Sequence, residues 1–166
     1  EMEAELFSNL KKISQEYVTQ IREVADCIAK LDVLSSLAVV SVENNYVRPE
    51  IDESGDFIVK NGRHPVLEKI LPLGTYVAND LDIHSNSSDK TQFMILTGPN
   101  MAGKSTYMRQ NALIVILAQT GSRVPADYVK LGLVDRIFTR VGASDDLTLG
   151  QSTFMVEMIE TANIIN

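Results

Sequence analysis

The segment Thr97-Gly-Pro-Asn-Met-Ala-Gly-Lys-Ser-Thr106 constrains the fold more than any other part of the chain. Residues 98–105 fit G-x-x-x-x-G-K-[ST], and they lie between an apolar run at 93–97 and a stretch from Lys104 to about Gln119 with helical periodicity. A strand, a glycine loop and a helix in direct succession form the setting in which such a loop cradles phosphate. Glycine is needed where the backbone curls around anionic oxygens, and the helix start aims unpaired N–H groups at the anion. Gly98 and Gly103 fill those positions, with Pro99, Asn100, Met101 and Ala102 completing the loop. Lys104 is expected to set its ammonium on the β- and γ-phosphates, Ser105 to offer its hydroxyl to Mg²⁺, and Thr106 to donate to phosphate. Asn100 either orients phosphate or water in catalysis beside Lys104, or simply forms the turn.

Hydrolysis of ATP to ADP needs more than a cradle, because one carboxylate must hold Mg²⁺ and another must position the attacking water. Downstream, Asp135 follows an apolar run broken by Gly132 and is succeeded by Arg136 rather than a second acid. Asp145 and Asp146 follow a Val-Gly-Ala-Ser turn and read as cap or loop acids. The expectation is that the catalytic carboxylates lie beyond Asn166, so that these residues alone bind nucleotide weakly and do not hydrolyse it.

Before the loop, Leu6, Leu10, Ile13, Tyr17, Ile21, Val24, Ile28 and Leu31 recur three and four apart, which places them on one stripe of a long helix. Such a stripe calls for a partner, and a coiled-coil-like arm helix over residues 1–40 is expected, its mate lying outside the chain. Cys27 within it reads as a small buried hydrophobe. Residues 41–92 change to short extended stretches broken by turn residues and read as a small β-rich entry segment. Residues 93–166 are expected to form an incomplete P-loop NTPase-type α/β domain, a sheet with flanking helices. Within it, 93–97 is expected as a buried strand, 133–141 as a second strand and 153–165 as a helix. Met108, Ala112, Val115 and Leu117 are expected to face the sheet. His64 reads as a structural hydrogen-bonder and His84 as a solvated loop residue.

Composition narrows the rest. No apolar run approaches a membrane span, and the acidic N-terminus lacks a signal core, so no membrane association is expected. The net charge of -7 falls mostly in residues 1–60, with twelve acidic against six basic side chains. Gripping DNA draws mainly on Lys and Arg, so this surface is a poor candidate for that task.

The loop, read on to Tyr-Met-Arg-Gln110, resembles that of the MutS family of DNA mismatch-repair ATPases. Further blocks agree in order: Tyr46-Val-Arg-Pro-Glu-Ile51, Gly62-Arg-His-Pro-Val66, and Ile137-Phe-Thr-Arg-Val-Gly-Ala-Ser-Asp-Asp146 followed by Ser152-Thr-Phe-Met-Val-Glu-Met158. The resemblance covers essentially the whole chain. It implies ATP or ADP with Mg²⁺ as ligands. Paired ATPase subunits, homo- or heterodimeric, would share composite sites, Ser152 and Thr153 of one reaching the γ-phosphate held by the other. Tyr76 falls where the family carries an aromatic that stacks on adenine, and Tyr instead of Phe preserves stacking. Ala102 replaces a glycine common in the family, adding a methyl near the phosphates. DNA would be held by domains outside these residues, and a MutL-type repair factor is implied as a partner. The location implied is the bacterial cytoplasm, nucleoid-associated, or the nucleus in a eukaryote. The resemblance implies an ATP-driven switch between mismatch-recognition and sliding states. The alternative is a MutS-like ATPase serving recombination or acting as an interaction platform.

Overall fold

The computed structural model describes residues 2–72, 74–85, 91–139, 158 and 161–162. The chain divides into two units, Glu1–Tyr46 and Val47–Asn166.

The first unit holds two helices, α1 (Met2–Glu16) and α2 (Val18–Glu43), where the periodicity predicts one. The break falls at Tyr17, which leaves helical geometry at φ -104° and ψ 1°. Just before it, the Ser14 hydroxyl donates to the Leu10 carbonyl at 2.9 Å, and the Tyr17 amide donates to the Ser14 carbonyl at 3.2 Å. A serine that bonds back to the preceding turn competes with the ladder and bends a helix. The end of α2 is a Schellman motif: Asn45 adopts φ 53°, and the amides of Tyr46 and Asn45 return to the carbonyls of Ser41 and Val42. The apolar stripe is present but uncovered, with Leu10 62% and Leu31 69% exposed. Cys27 is exposed as well, contrary to the expectation of a buried site, because nothing among the described residues of this unit packs over the stripe.

The second unit is mixed α/β. Four strands, β1 (Glu50–Asp52), β2 (Asp56–Gly62), β3 (Asn79–His84) and β4 (Tyr128–Gly132), form one sheet in the order β1-β4-β2-β3. β1 and β4 are parallel, whereas β2 runs antiparallel to both β4 and β3. β4 thus stitches residues far along the chain into the segment that composition alone marks as a separate β-rich element. Period-two alternation sorts the two faces. Phe57, Val59, Leu81, Val129 and Leu131 point one way, and α4 (Lys104–Gln119) covers them with Ile114, Val115 and Ala118. Asp56, Asp82, His84 and Lys130 share the other face. A short helix, α3 (Leu67–Ile70), follows β2.

Three expectations for this unit need correction. Residues 93–97 form no strand: Phe93 is 78% and Ile95 76% exposed, because no described strand lies alongside to complete a ladder. The strand placed at 133–141 occurs earlier, as β4, and Gly132 belongs to it instead of breaking it, while 133–139 carry no regular structure. On α4 the buried positions are Gln110, Asn111, Ile114, Val115 and Ala118, so Val115 faces inward as expected and Leu117 packs against the core, whereas Met108 is 46% exposed. Of the helix expected over 153–165, Met158, Thr161 and Ala162 are helical, and the remainder lies outside the described residues.

Candidate functional site

The loop at 98–105 is built from unusual backbone. Gly98 has φ 146°, Met101 φ 63° and Gly103 φ 90°. A Cβ at Gly103 would meet nothing within 4 Å, and one at Gly98 would meet only the Ala102 methyl at 3.9 Å. Glycine is therefore demanded here by the sign of φ, not by lack of space. Met101 occupies the same left-handed region with a Cβ, fully exposed, so its side chain plays no packing role. Ala102 has no positive φ and is accommodated without strain.

Gly103 caps α4 without a side chain, which leaves the first amides of the helix without a side-chain acceptor. The partial positive charge of the helix start and the Lys104 ammonium thus coincide at one point. Lys104 Nζ donates to the carbonyls of Gly98 and Pro99, both at 2.6 Å, and so spans the mouth of the loop. Ser105 is exposed one residue on, and Thr106 is half-buried.

Ala102, Gly103, Lys104 and Thr106 line one open cavity of about 600 Å³. It is also lined by Tyr76 and Val77 from the irregular stretch after α3, by Asn79 and Asp80 at the start of β3, and by Leu96, Thr97 and Tyr107. The cavity therefore brings Tyr76 together with four of the loop residues singled out by sequence. Gly98, Pro99, Asn100, Met101 and Ser105 do not line it. Asp135 is exposed in a bend after β4 and does not line it either. Ser152, Thr153, Asp145 and Asp146 lie outside the described residues. Among the described residues no group of three or more His, Cys, Asp or Glu side chains could hold a metal.

Sequence reasoning missed Asp80, Tyr107 and Gln110. The Tyr76 hydroxyl donates to Gln110 Oε1 at 2.6 Å, and the Tyr107 hydroxyl donates to the Asp80 carbonyl at 2.8 Å. Burial pushes both phenols above their ordinary pKa, so both remain donors at neutral pH. The Asp80 carboxylate accepts from the Asn61 amide at 2.8 Å and from Lys60 at 3.1 Å, and these bonds, the amide first, lower its pKa. It is an occupied structural acid. Gln110 could have been found from spacing, since 110, 114 and 118 repeat every four residues and put a glutamine on the apolar face of α4.

The two histidines divide. His64 is a structural hydrogen-bonder as expected: Nδ1 accepts the amides of Val66 and Leu67 at 3.3 and 3.4 Å, capping α3. His84 is not solvated. It is 8% exposed on the sheet, with Nδ1 2.6 Å from Asp56 and Nε2 2.6 Å from Asp82. Alternation along β3, which ends at His84, turns the ring onto the polar face where those carboxylates sit.

A glycine loop that opens a helix, a lysine across its mouth and an aromatic in the same cavity belong to one mixed α/β unit. Residues 94–166 match the family model described as MutS domain V. Over 165 residues the chain is 55% identical to the DNA mismatch repair protein MutS of Syntrophomonas wolfei, covering 99% of this chain and 19% of that protein. It is 54% identical over 166 residues to the protein of that name from Flavobacterium johnsoniae, again 99% and 19%. Against that of Thermodesulfovibrio yellowstonii the identity is 55% over 170 residues, 99% and 20%. The chain belongs to the MutS family. It spans about a fifth of the length of the curated relatives it matches.

Proposed function

We propose that these residues form the phosphate- and base-binding part of an ATPase site in a DNA mismatch repair protein. The reading is carried by one observation: Ala102 and Gly103 of the glycine loop, Lys104 and Thr106 line the same cavity as Tyr76. The local chemistry fits a nucleotide. Two positive-φ glycines shape the loop, uncapped amides open α4, and a lysine lies at the point where anionic oxygens would be drawn. ATP or ADP would set its phosphates at residues 98–106 and its base against Tyr76.

Lys104 would exchange its two carbonyl acceptors for the β- and γ-phosphates, and Asn100 would orient the terminal phosphate or the attacking water. Mg²⁺, when bound, neutralises phosphate charge, and Ser105 is the residue here that would hold it. Ser152 and Thr153 of a second MutS-type subunit would reach the γ-phosphate in trans, drawing two domains together. ATP binding and hydrolysis would thereby switch a DNA-bound dimer between mismatch recognition and a sliding, signalling state, in which a MutL-type factor is engaged. Calorimetric titration of Mg-ATP into the chain tests the core of this reading. Binding that Lys104→Ala abolishes is expected, and equal affinity in the variant would refute it.

A further inference from the structure

We infer that Gln110 is the positioning residue for the base end of this site, holding the Tyr76 ring from the same helix that begins at the phosphate loop. The inference rests on the nucleotide reading above and adds to it a residue that sets base selectivity.

Gln110 is fully buried, at 0% exposure, on a face of α4 that otherwise packs Ile114, Val115 and Ala118 into the core. Its Oε1 takes the Tyr76 hydroxyl at 2.6 Å, while its Nε2 has no partner among the described residues. An orphaned buried donor costs stability, so the fold alone would be better served by an apolar side chain. What the amide gives in return is a fixed acceptor for Tyr76. Its plane is set by packing, because Gly62 lies so near that a Cβ there would come within 2.6 Å of Nε2.

Tyr76 needs such a fixture. It sits in irregular chain between α3 and β3, half-buried, with no ladder to orient it. One helical turn before Gln110, Tyr107 holds the start of β3, where that stretch ends, through the Asp80 carbonyl. Tyr76 in that stretch and Asp80 at the start of β3 are thus fastened to positions 110 and 107 of one rigid helix. Gln110 stands six residues beyond Lys104, a rise of about 9 Å along α4. The distance between lysine and aromatic platform is then set by helix geometry instead of by a loop. A nucleotide spanning both would be read for its base as well as its phosphates.

The experiment compares Mg-ATP, Mg-GTP and Mg-tripolyphosphate binding to the full chain and to Tyr76→Phe, Gln110→Met, the double variant and Lys104→Ala. Tyr76→Phe keeps the ring and changes a half-buried residue, so it remains informative if the buried Gln110→Met weakens the fold. Each single variant is expected to lose about threefold to tenfold in ATP affinity and in preference over GTP, the scale of one hydrogen bond. Tripolyphosphate affinity should hold, and the double variant should be no worse than the worse single one. Equal losses for ATP and tripolyphosphate, unchanged base preference, or losses that simply add would overturn the role of Gln110. Lys104→Ala separates the two readings: if it lowers ATP and tripolyphosphate alike, the site stands whatever Gln110 does. If it lowers neither, the site itself is misassigned.

Discussion

Gly132 ends β4 directly beneath the Ser54 carbonyl, with no room for a Cβ between them. The turn joining β1 to β2 folds over that glycine, tightened by the Ser54 amide on Asp52 Oδ1 at 2.9 Å and the Asp56 amide on Ser54 Oγ at 3.2 Å. Its neighbour is backbone, which cannot step aside as a side chain would. Gly132→Ala is expected to destabilise by at least the roughly 1–3 kcal/mol usual for overpacking, since the turn must open. Urea denaturation of the variant against the parent chain measures it, and a change below about 0.5 kcal/mol would show that the turn yields freely.

The same glycine shows where sequence reading stops. In the linear chain Gly132 looks like an interruption of an apolar run, because its reason lies some eighty residues earlier in a turn that folds back over it. The glycine loop and α4 were legible, since their signals are local: fixed spacing, a strand-like run before, helical period after. Beyond the loop and the residues flanking it, the cavity lining was legible only in Tyr76. Asp80 and Tyr107 serve through one backbone carbonyl and one hydroxyl, which leave no pattern. His84 was misread because its two neighbours in sequence are irrelevant to it, and its partners arrive from β2 and from the alternate position of β3. Residues 93–97 show the reverse error. An apolar run of strand length becomes a strand only where another strand lies alongside.

Gly62 offers a second steric test with a different readout. Its φ is unexceptional, so alanine meets only neighbours: Gln110 Nε2 at 2.6 Å, Val59 Cγ1 at 2.7 Å and the Asn79 carbonyl at 3.1 Å. Two of these are side-chain ends that shift at moderate cost. Gly62→Ala should therefore lose about 1–3 kcal/mol and displace the Gln110 amide from Tyr76. Denaturation gives the first quantity, and a changed phenol resonance of Tyr76 gives the second. An intact Tyr76 resonance would mean that Val59 alone absorbs the methyl.

The outer face of the sheet predicts an acid limb to stability. Lys130 donates to Asp56 at 2.6 Å and lies 3.3 Å from Asp52, while His84 meets Asp56 from the other side. The Lys130 bond first and the His84 bond second hold the Asp56 carboxyl down to about 2, from 3.8 unfolded. A depressed carboxyl favours the folded state at all pH above 3.8, and that contribution disappears as pH falls towards 2. Lys130→Met removes the larger cause, so its acid unfolding, followed by circular dichroism, should begin at higher pH than in the parent chain. Coincident acid transitions would show that Asp56 owes nothing to Lys130.

His64 makes the opposite demand of its ring, and so titrates into instability at milder pH. Its Nδ1 must stay unprotonated to accept the amides of Val66 and Leu67 that begin α3. Burial first lowers its pKa below 6.5, aided by the nearby Arg109 charge, against the raising pulls of a backbone hydrogen bond and, less, of Glu68. For a histidine whose folded pKa is depressed, the unfolded chain takes up the proton first. The stabilisation is complete above 6.5 and is lost as pH falls through the lower folded value. His64→Asn retains a side-chain acceptor of similar reach without an ionisable ring, and asparagine is a favoured cap. Melting temperatures measured as pH is lowered from neutrality should therefore fall less steeply in the variant than in the parent. His84, the other histidine of the chain, is present in both and cancels from the comparison. Parallel curves would show that protonating His64 leaves its cap intact, and would remove the link between this ring and α3.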